Sequence, residues 1–363
     1  MRNAPINVVL VSEGSGGHLI PATEVAKALA GSGHRVRLVY LQRPQLSALM
    51  RHSLNHLQVM GVELLAIQPG WRPGQAARLW WWAYRMLSRW GTQLVVGFGG
   101  WVCIPFVLAA RQRRIRVLLH EQNVGLGRAN RLLVHRHWAN HLAISFEQTR
   151  AFLNGTPTTV TGLPTRSGAQ VGTREEAAQW FGLSAEAWTV LVIGGSQGSR
   201  TLNRVMTDLL PRLSGAERSA WQFIHLAGER EARDVRQRYE AGGVRGWVDA
   251  HVAEMAFAYH MADVVIARAG ASTLAELARY GCPAILIPYP YAAGHQRDNA
   301  RLVEAVGGGI MIEEAEVSAS RLLSLLRRMV ADSRLRQMMA TQIRTLAQPE
   351  ATTRLATLIE SIA

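Results

Sequence analysis

Two stretches of this chain open in the same way: VVLVSEGSGGH at residues 8–18 and TVLVIGGSQGS at residues 189–199. In each, an apolar β-branched run predicts a buried strand, a glycine-rich loop follows it, and a helical pattern follows the loop. The corresponding glycines, Gly14 and Gly194, stand 180 residues apart, about the size of one doubly wound domain. Parallel strands need long crossover connections, so a chain that alternates such runs with helical patterns and then restarts is confined to two parallel-sheet α/β domains in tandem. Strands are expected at 8–11, 36–40, 64–67, 94–96, 117–119 and 159–161, and again at 190–193, 223–226, 264–267, 284–287 and 310–312. The link falls near residues 162–168, giving domains 1–163 and 164–347, with a last amphipathic helix, 348–363, returning to cover the first. Ligands of such folds bind beyond the carboxyl ends of the strands, here in a cleft between the two domains.

The remaining composition narrows the class. Of 363 residues, 48% are hydrophobic and 18% charged, enough apolar surface for two cores. Cys103 and Cys282 sit far apart, outside any paired metal or disulfide spacing. The uncharged stretch 92–110 approaches the length of a membrane span, but Gly97, Gly99, Gly100 and Pro105 interrupt it, so strand, loop and helix are expected. No charged-then-apolar leader precedes the first strand, which predicts a cytoplasmic protein.

Charge is unevenly placed. Residues 1–120 hold fourteen Lys or Arg against only Glu13, Glu24 and Glu63, whereas the other 243 hold 26 basic and 23 acidic side chains. An anionic partner that meets the first half alone is implied, either nucleic acid or an anionic membrane. As a helix from about Gln75, the segment 70–91 puts Leu79, Trp82, Met86 and Trp90 on one stripe, and Arg78, Trp81, Arg85 and Arg89 on another. Arginine and tryptophan concentrated on one amphipathic helix suit a lipid headgroup boundary, and the charge asymmetry favours that reading over a solvated helix face. The membrane residues are then Trp81, Trp82, Arg85 and Arg89. No zinc-finger, RNA-recognition or helix-turn-helix signature accompanies the basic residues, so no nucleic-acid partner is expected.

A glycine-rich loop opening a helix directs backbone N–H groups at an anion; a single loop is equally a tight turn. Neither loop fits GxGxxG with its acidic ribose partner, and Lys27, the only lysine, serves no phosphate-binding loop. A third segment, ARAGASTLAELARYGCPAILIPYP at 267–290, runs from a strand end into a helix that Ser272 or Thr273 can cap. Glu276, one turn in, either accepts two hydrogen bonds from a ribose diol or simply complements the helix dipole.

EGSGGHLIPA (13–22), VVGFGGWV (95–102), HEQNVGLGRANRLL (120–133), GLPTR (162–166), GGSQGSRTLN (194–203), EMAFAYHMADVVIARAGASTLAEL (254–277) and HQRDNA (295–300) together resemble the MurG family. Its members are UDP-N-acetylglucosamine transferases of bacterial peptidoglycan synthesis that convert lipid I to lipid II. The segments keep the family's order along nearly the whole chain. The resemblance implies a GT-B fold, a pair of Rossmann-like domains with an interdomain cleft. It implies that Glu276 holds the ribose of UDP, Ser196 and its loop the diphosphate, and the backbone near Val252 the uracil. Ala271, Ser272 and Thr273 line the phosphate side, Arg166 adds a positive charge, and Gln296 binds GlcNAc hydroxyls beside His295 and Asn299. Ser15, Gly16, Gly17 and Asn123 complete the donor set from the first domain. On the acceptor side, Gly14, Ser15, Gly16, Gly17, His18 and Asn130 meet the pyrophosphate of lipid I.

The implied reaction is an inverting displacement in which the MurNAc 4-hydroxyl attacks the anomeric carbon and UDP leaves. His18 is the candidate base and Glu121 a weaker one, with no metal or other cofactor expected. The implied location is peripheral, on the cytoplasmic face of the bacterial inner membrane. From the residues alone, another UDP-sugar enzyme of this fold, with a different lipid acceptor or a 2-epimerase, remains an alternative, as does a non-catalytic nucleotide-sugar-binding membrane subunit. Four departures from the family pattern stand out: Glu13 and Ser15 replace Gly and Thr, Trp101 replaces a tyrosine, and His251 replaces another aromatic residue.

Overall fold

The apolar runs become strands covered on both faces, which is why they read as unbroken Val, Leu and Ile rather than as alternating patterns. The computed structural model describes residues 4–42, 48–68, 73–153, 155–166, 173–195, 197–291 and 294–363. Its first sheet has seven strands: β1 (Asn7–Ser12), β2 (Arg35–Leu41), β3 (Glu63–Ile67), β4 (Leu94–Gly97), β5 (Arg116–Glu121), β6 (His141–Ile144) and β7 (Thr158–Val160), in the order β3-β2-β1-β4-β5-β6-β7. The second has six: β8 (Trp188–Ile193), β9 (Trp221–Leu226), β10 (Gly246–Asp249), β11 (Val264–Ala267), β12 (Ala284–Leu286) and β13 (Gly309–Met311), in the order β10-β9-β8-β11-β12-β13. All pairings in both sheets are parallel.

The strand preceding each glycine loop sits where the order reverses, β1 between β2 and β4, and β8 between β9 and β11. Loops on either side of such a point diverge and leave a crevice at the strands' carboxyl ends. Register keeps those ends level: Val11 faces Gly97 and Gly97 faces Leu119 in the first sheet, while Ile193 faces Ala267 and Ala267 faces Leu286 in the second. Strands β6 and β10 were not among those expected. Each is only four residues long, and a polar residue (His141, or Asp249 at the sheet edge) shortens its apolar run.

The chain divides into two units, Met1–Arg166 with Gln348–Ala363, and Ser167–Ala347. The break follows Arg166, against the expected break after residue 163. In the first unit, Leu355, Ala356 and Ile359 of the helix Ala351–Ile362 are buried in one core with Val8, Leu10 and Leu29. Burial of the Leu and Ile side chains contributes about 1.5–3 kcal/mol each, enough to hold a returning twelve-residue helix in place. His34 Nε2 on Glu360 Oε1, at 3.0 Å, fixes its far end.

Candidate active site

In the first unit the 13–18 loop joins β1 to the helix Gly16–Gly31. Ser15, extended at φ −83° and ψ 147°, precedes the helix, and its carbonyl accepts from the N–H groups of His18 and Leu19 at 3.1 and 2.8 Å. Its hydroxyl does not cap the helix; it lies 2.7 Å from His18 Nδ1. An Nδ1–H donated to Ser15 Oγ places the imidazole lone pair on Nε2, the form a general base requires. The ring lies against the backbone of Gly99, whose φ is +92°. A Cβ at Gly99 would stand 2.8 Å from His18 Cδ2, so only glycine permits this approach. Gly100 stands in the same relation to the side chain of Glu13.

The residues His120 to Asn123 continue from the end of β5. Glu121 is 1% exposed, and its carboxylate accepts from Asn123 N–H (3.1 Å), Asn123 Nδ2 (3.3 Å), Gly127 N–H (2.9 Å) and Asn130 Nδ2 (2.9 Å). The second base candidate is therefore a buried acceptor that organises the 122–130 loop. Asn123 and Asn130 are brought together on it. His120 Nε2 donates to the Gly162 carbonyl at 3.1 Å, and its Nδ1 accepts from Gln122 Nε2 at 3.0 Å. Burial pushes this imidazole down to about 4, so it is neutral. The Gln122 side-chain oxygen lies 3.6 Å from the same Gly99 Cβ position that His18 borders, so the two clusters meet over Gly99.

The second unit repeats the loop with different surroundings. Gly198, at φ +75°, presses against the Ala227 carbonyl, leaving no space for a Cβ. Ser199 then caps the helix Arg200–Leu209, accepting from Leu202 N–H at 3.4 Å. Ser196 lies outside the described residues. After β11, the expected cap by Ser272 or Thr273 is replaced: Gly270 is the cap, without a side-chain bond, and the helix runs Ala271–Tyr280. The helix begins at Ala271, before either hydroxyl is reached, so Ala271, Ser272 and Thr273 form the first turn itself, where N–H groups have no intrahelical acceptor.

Glu276 accepts from the Tyr259 hydroxyl at 2.8 Å. Burial, with the carboxylate next in effect, holds that phenol well above its usual 10, so it remains a donor. Gln296, in the first turn of the helix His295–Ala305, accepts from Tyr289 N–H at 2.9 Å through Oε1, and Asn299 Nδ2 donates to the Ala269 carbonyl at 3.0 Å. These bonds join the ends of β11 and β12 into one cluster. Val252 is buried in the loop after β10, whereas His251 is exposed. Arg166 is the last residue of the first unit before the chain passes into the second. Sequence reasoning named neither Tyr259 nor Arg268, although the latter was visible as a cation placed directly after the apolar run VVIA.

The helix Pro73–Arg89 buries Ala83 and Leu87, while Arg78, Trp81, Arg85 and Arg89 are exposed. Arg85 lies 4.7 Å over the Trp81 ring. Trp82 departs from the expected membrane set: it is half-buried, edge-on to Phe106 and Trp90 at 6.0 and 5.7 Å, because that stripe packs against the helix Cys103–Gln112. Among the described residues no helix is long and apolar enough to cross a membrane.

Comparison with known proteins agrees with this architecture. Residues 8–139 match the glycosyltransferase family 28 N-terminal domain and residues 189–355 its C-terminal domain. The chain is 30% identical over 374 residues to the UDP-N-acetylglucosamine--N-acetylmuramyl-(pentapeptide) pyrophosphoryl-undecaprenol N-acetylglucosamine transferase of Desulforamulus reducens, covering 98% of this chain and 99% of that one. It is 36% identical over 360 residues to the protein of the same name from Alkalilimnicola ehrlichii, with 95% of each chain covered. The crystal structure of Acinetobacter baumannii MurG superposes with a TM-score of 0.75 at 26% identity, over 98% of this chain and 99% of that one. With two parallel-sheet α/β domains of the GT-B fold and full-length relatives at these identities, the chain belongs to the MurG family within glycosyltransferase family 28.

Proposed function

We infer that this protein moves GlcNAc from UDP-GlcNAc to the 4-hydroxyl of MurNAc in undecaprenyl-pyrophosphoryl-MurNAc-pentapeptide, lipid I, and so makes lipid II for peptidoglycan. The full-length match to transferases named for these substrates carries the reading. Two differently equipped glycine loops support it. On the acceptor side, the 14–17 loop would cradle the pyrophosphate with Asn130 nearby, and His18 Nε2 would take the hydroxyl proton. The hydroxyl oxygen then forms its bond to the anomeric carbon as the bond to the UDP oxygen breaks, and UDP departs with the electron pair. Ser15 orients the imidazole through the 2.7 Å bond.

On the donor side, Glu276 would accept from the ribose hydroxyls, held for the task by Tyr259. The first-turn N–H groups of Ala271, Ser272 and Thr273, with Ser196 and its loop, would meet the diphosphate, joined by Arg166. Backbone at Val252 would read uracil and Gln296 the sugar hydroxyls. Ser15, Gly16 and Gly17 of the acceptor loop, and Asn123 after β5, would touch the donor from the first unit. Incubation with UDP-GlcNAc and a lipid I analogue should yield the β-1,4-linked disaccharide; release of UDP without that product would refute the assignment.

The exposed Trp81, Arg85 and Arg89 face would rest on the anionic cytoplasmic surface of the plasma membrane, with the indole at the headgroup boundary and guanidinium groups on phosphates. Replacing these three side chains with Ala should reduce sedimentation with anionic vesicles severalfold and leave UDP affinity unchanged. Vesicle binding that persists at wild-type level would remove this face from the account.

A further inference from the structure

Arg268 follows β11 directly and is 7% exposed. Its Nε and Nη2 both donate to Ser199 Oγ, at 3.1 and 2.8 Å, and so grip the residue that closes the 194–198 loop. Its Nη1 donates to the Ile287 carbonyl at 3.1 Å, just beyond β12, and the group is ion-paired with Glu314, beyond β13. Glu314 also accepts from Thr201 Oγ1 at 3.0 Å, in the first turn of the helix that Ser199 caps. The guanidinium carbon stands 5.5 Å from the Tyr289 ring centre, and Tyr289 N–H is the donor that holds Gln296.

One guanidinium thus ties the ends of β8, β11, β12 and β13. A buried cation is expensive to desolvate, and an apolar side chain of similar volume commonly packs as well, so stability alone does not account for an arginine here. A rigid planar fork, by contrast, fixes several acceptors at once, which neither a lysine nor an apolar residue does. We propose that Arg268 is a positioning residue for the sugar-nucleotide donor. It sets the glycine loop on the diphosphate side and, through residues 287–289, sets Gln296 on the sugar side. The proposal rests on the donor-side reading given above.

Arg268→Lys keeps a positive charge for Glu314 and loses the fork. Misplacement of about 1 Å in a positioning element can cost as much as 10²-fold, so a partial displacement should weaken UDP binding about tenfold. Calorimetry with UDP, steady-state kinetics with UDP-GlcNAc and its C4 epimer, and thermal melts should be run on the full chain. The expected result is weaker UDP binding, a donor KM raised about as much, reduced preference over the epimer and an unchanged acceptor KM. A folded Arg268→Lys protein with wild-type donor affinity and preference overturns the proposal, whatever its melting temperature. If that variant does not fold, Ser199→Ala decides. It removes the acceptor of the fork but leaves the guanidinium its other partners, so a raised donor KM supports the proposal and an unchanged one overturns it. Wild-type protein giving no heat with UDP would overturn the donor-side reading and this proposal together, an outcome distinct from normal wild-type binding with an undisturbed variant.

Discussion

The two glycine loops share a backbone plan and differ in what surrounds them. The first is attended by an imidazole: His18 leans on Ser15 and Gly99, with Glu13 beside Gly100 and the Glu121 carboxylate buried among four donors. The second is backed by a buried guanidinium, Arg268, on Ser199. A strand, glycine turn and helix supply N–H groups wherever they occur, so the motif by itself assigns no chemistry. The side chains around the loops tell them apart, an imidazole beside the first and a guanidinium behind the second.

This contrast is most exposed to test at His18. His18→Ala should lower kcat by about 10²–10⁴-fold, the usual worth of general base catalysis, while the heat of UDP binding stays as in wild type. Loss of UDP affinity instead would mean that His18 serves the donor rather than the proton. The reciprocal change is Glu276→Ala in the second unit, which removes the acceptor of two expected ribose hydrogen bonds. Donor KM should rise about 10–100-fold, as for one or two bonds to a charged group, with acceptor KM unaltered. A fall in kcat at unchanged donor KM would dissolve the division of labour between the units.

Much of this was legible in the residues. The apolar runs located eleven of the strands named here, and the repeated glycine loops located both crevices, because each signal is local and continuous. What escaped depends on contacts distant in sequence. Arg268 meets Ser199 across 69 positions and Tyr259 meets Glu276 across 17, so neither role is written in its own motif. Ser272 and Thr273 have cap chemistry, but the shortness of the turn after β11 gave that place to Gly270. For Trp82, periodicity separated two stripes of the helix Pro73–Arg89 without showing which one the helix Cys103–Gln112 would cover.

The smallest effect concerns a property the units share. Each buries a neutral histidine, His120 pushed by burial to about 4 and His225 to about 3. Both native values lie below the ordinary 6.5, so the unfolded chain takes up the proton first, and stability present above pH 6.5 is lost as pH falls. Between pH 7.5 and 5.5 the native rings stay neutral, and the loss is set by the unfolded value alone. It should therefore be about 1 kcal/mol for each histidine, although one ring is held lower than the other. Urea denaturation of His120→Asn and His225→Asn at the two pH values isolates each share, because the amide does not titrate. Each variant should show about 1 kcal/mol less pH dependence than wild type, whatever its absolute stability. A variant with undiminished pH dependence would mean that its histidine is already charged in the folded protein. At His120 that would place a cation behind Gln122, in the cluster that meets His18 over Gly99, and the contrast with the cation-backed second site would fail.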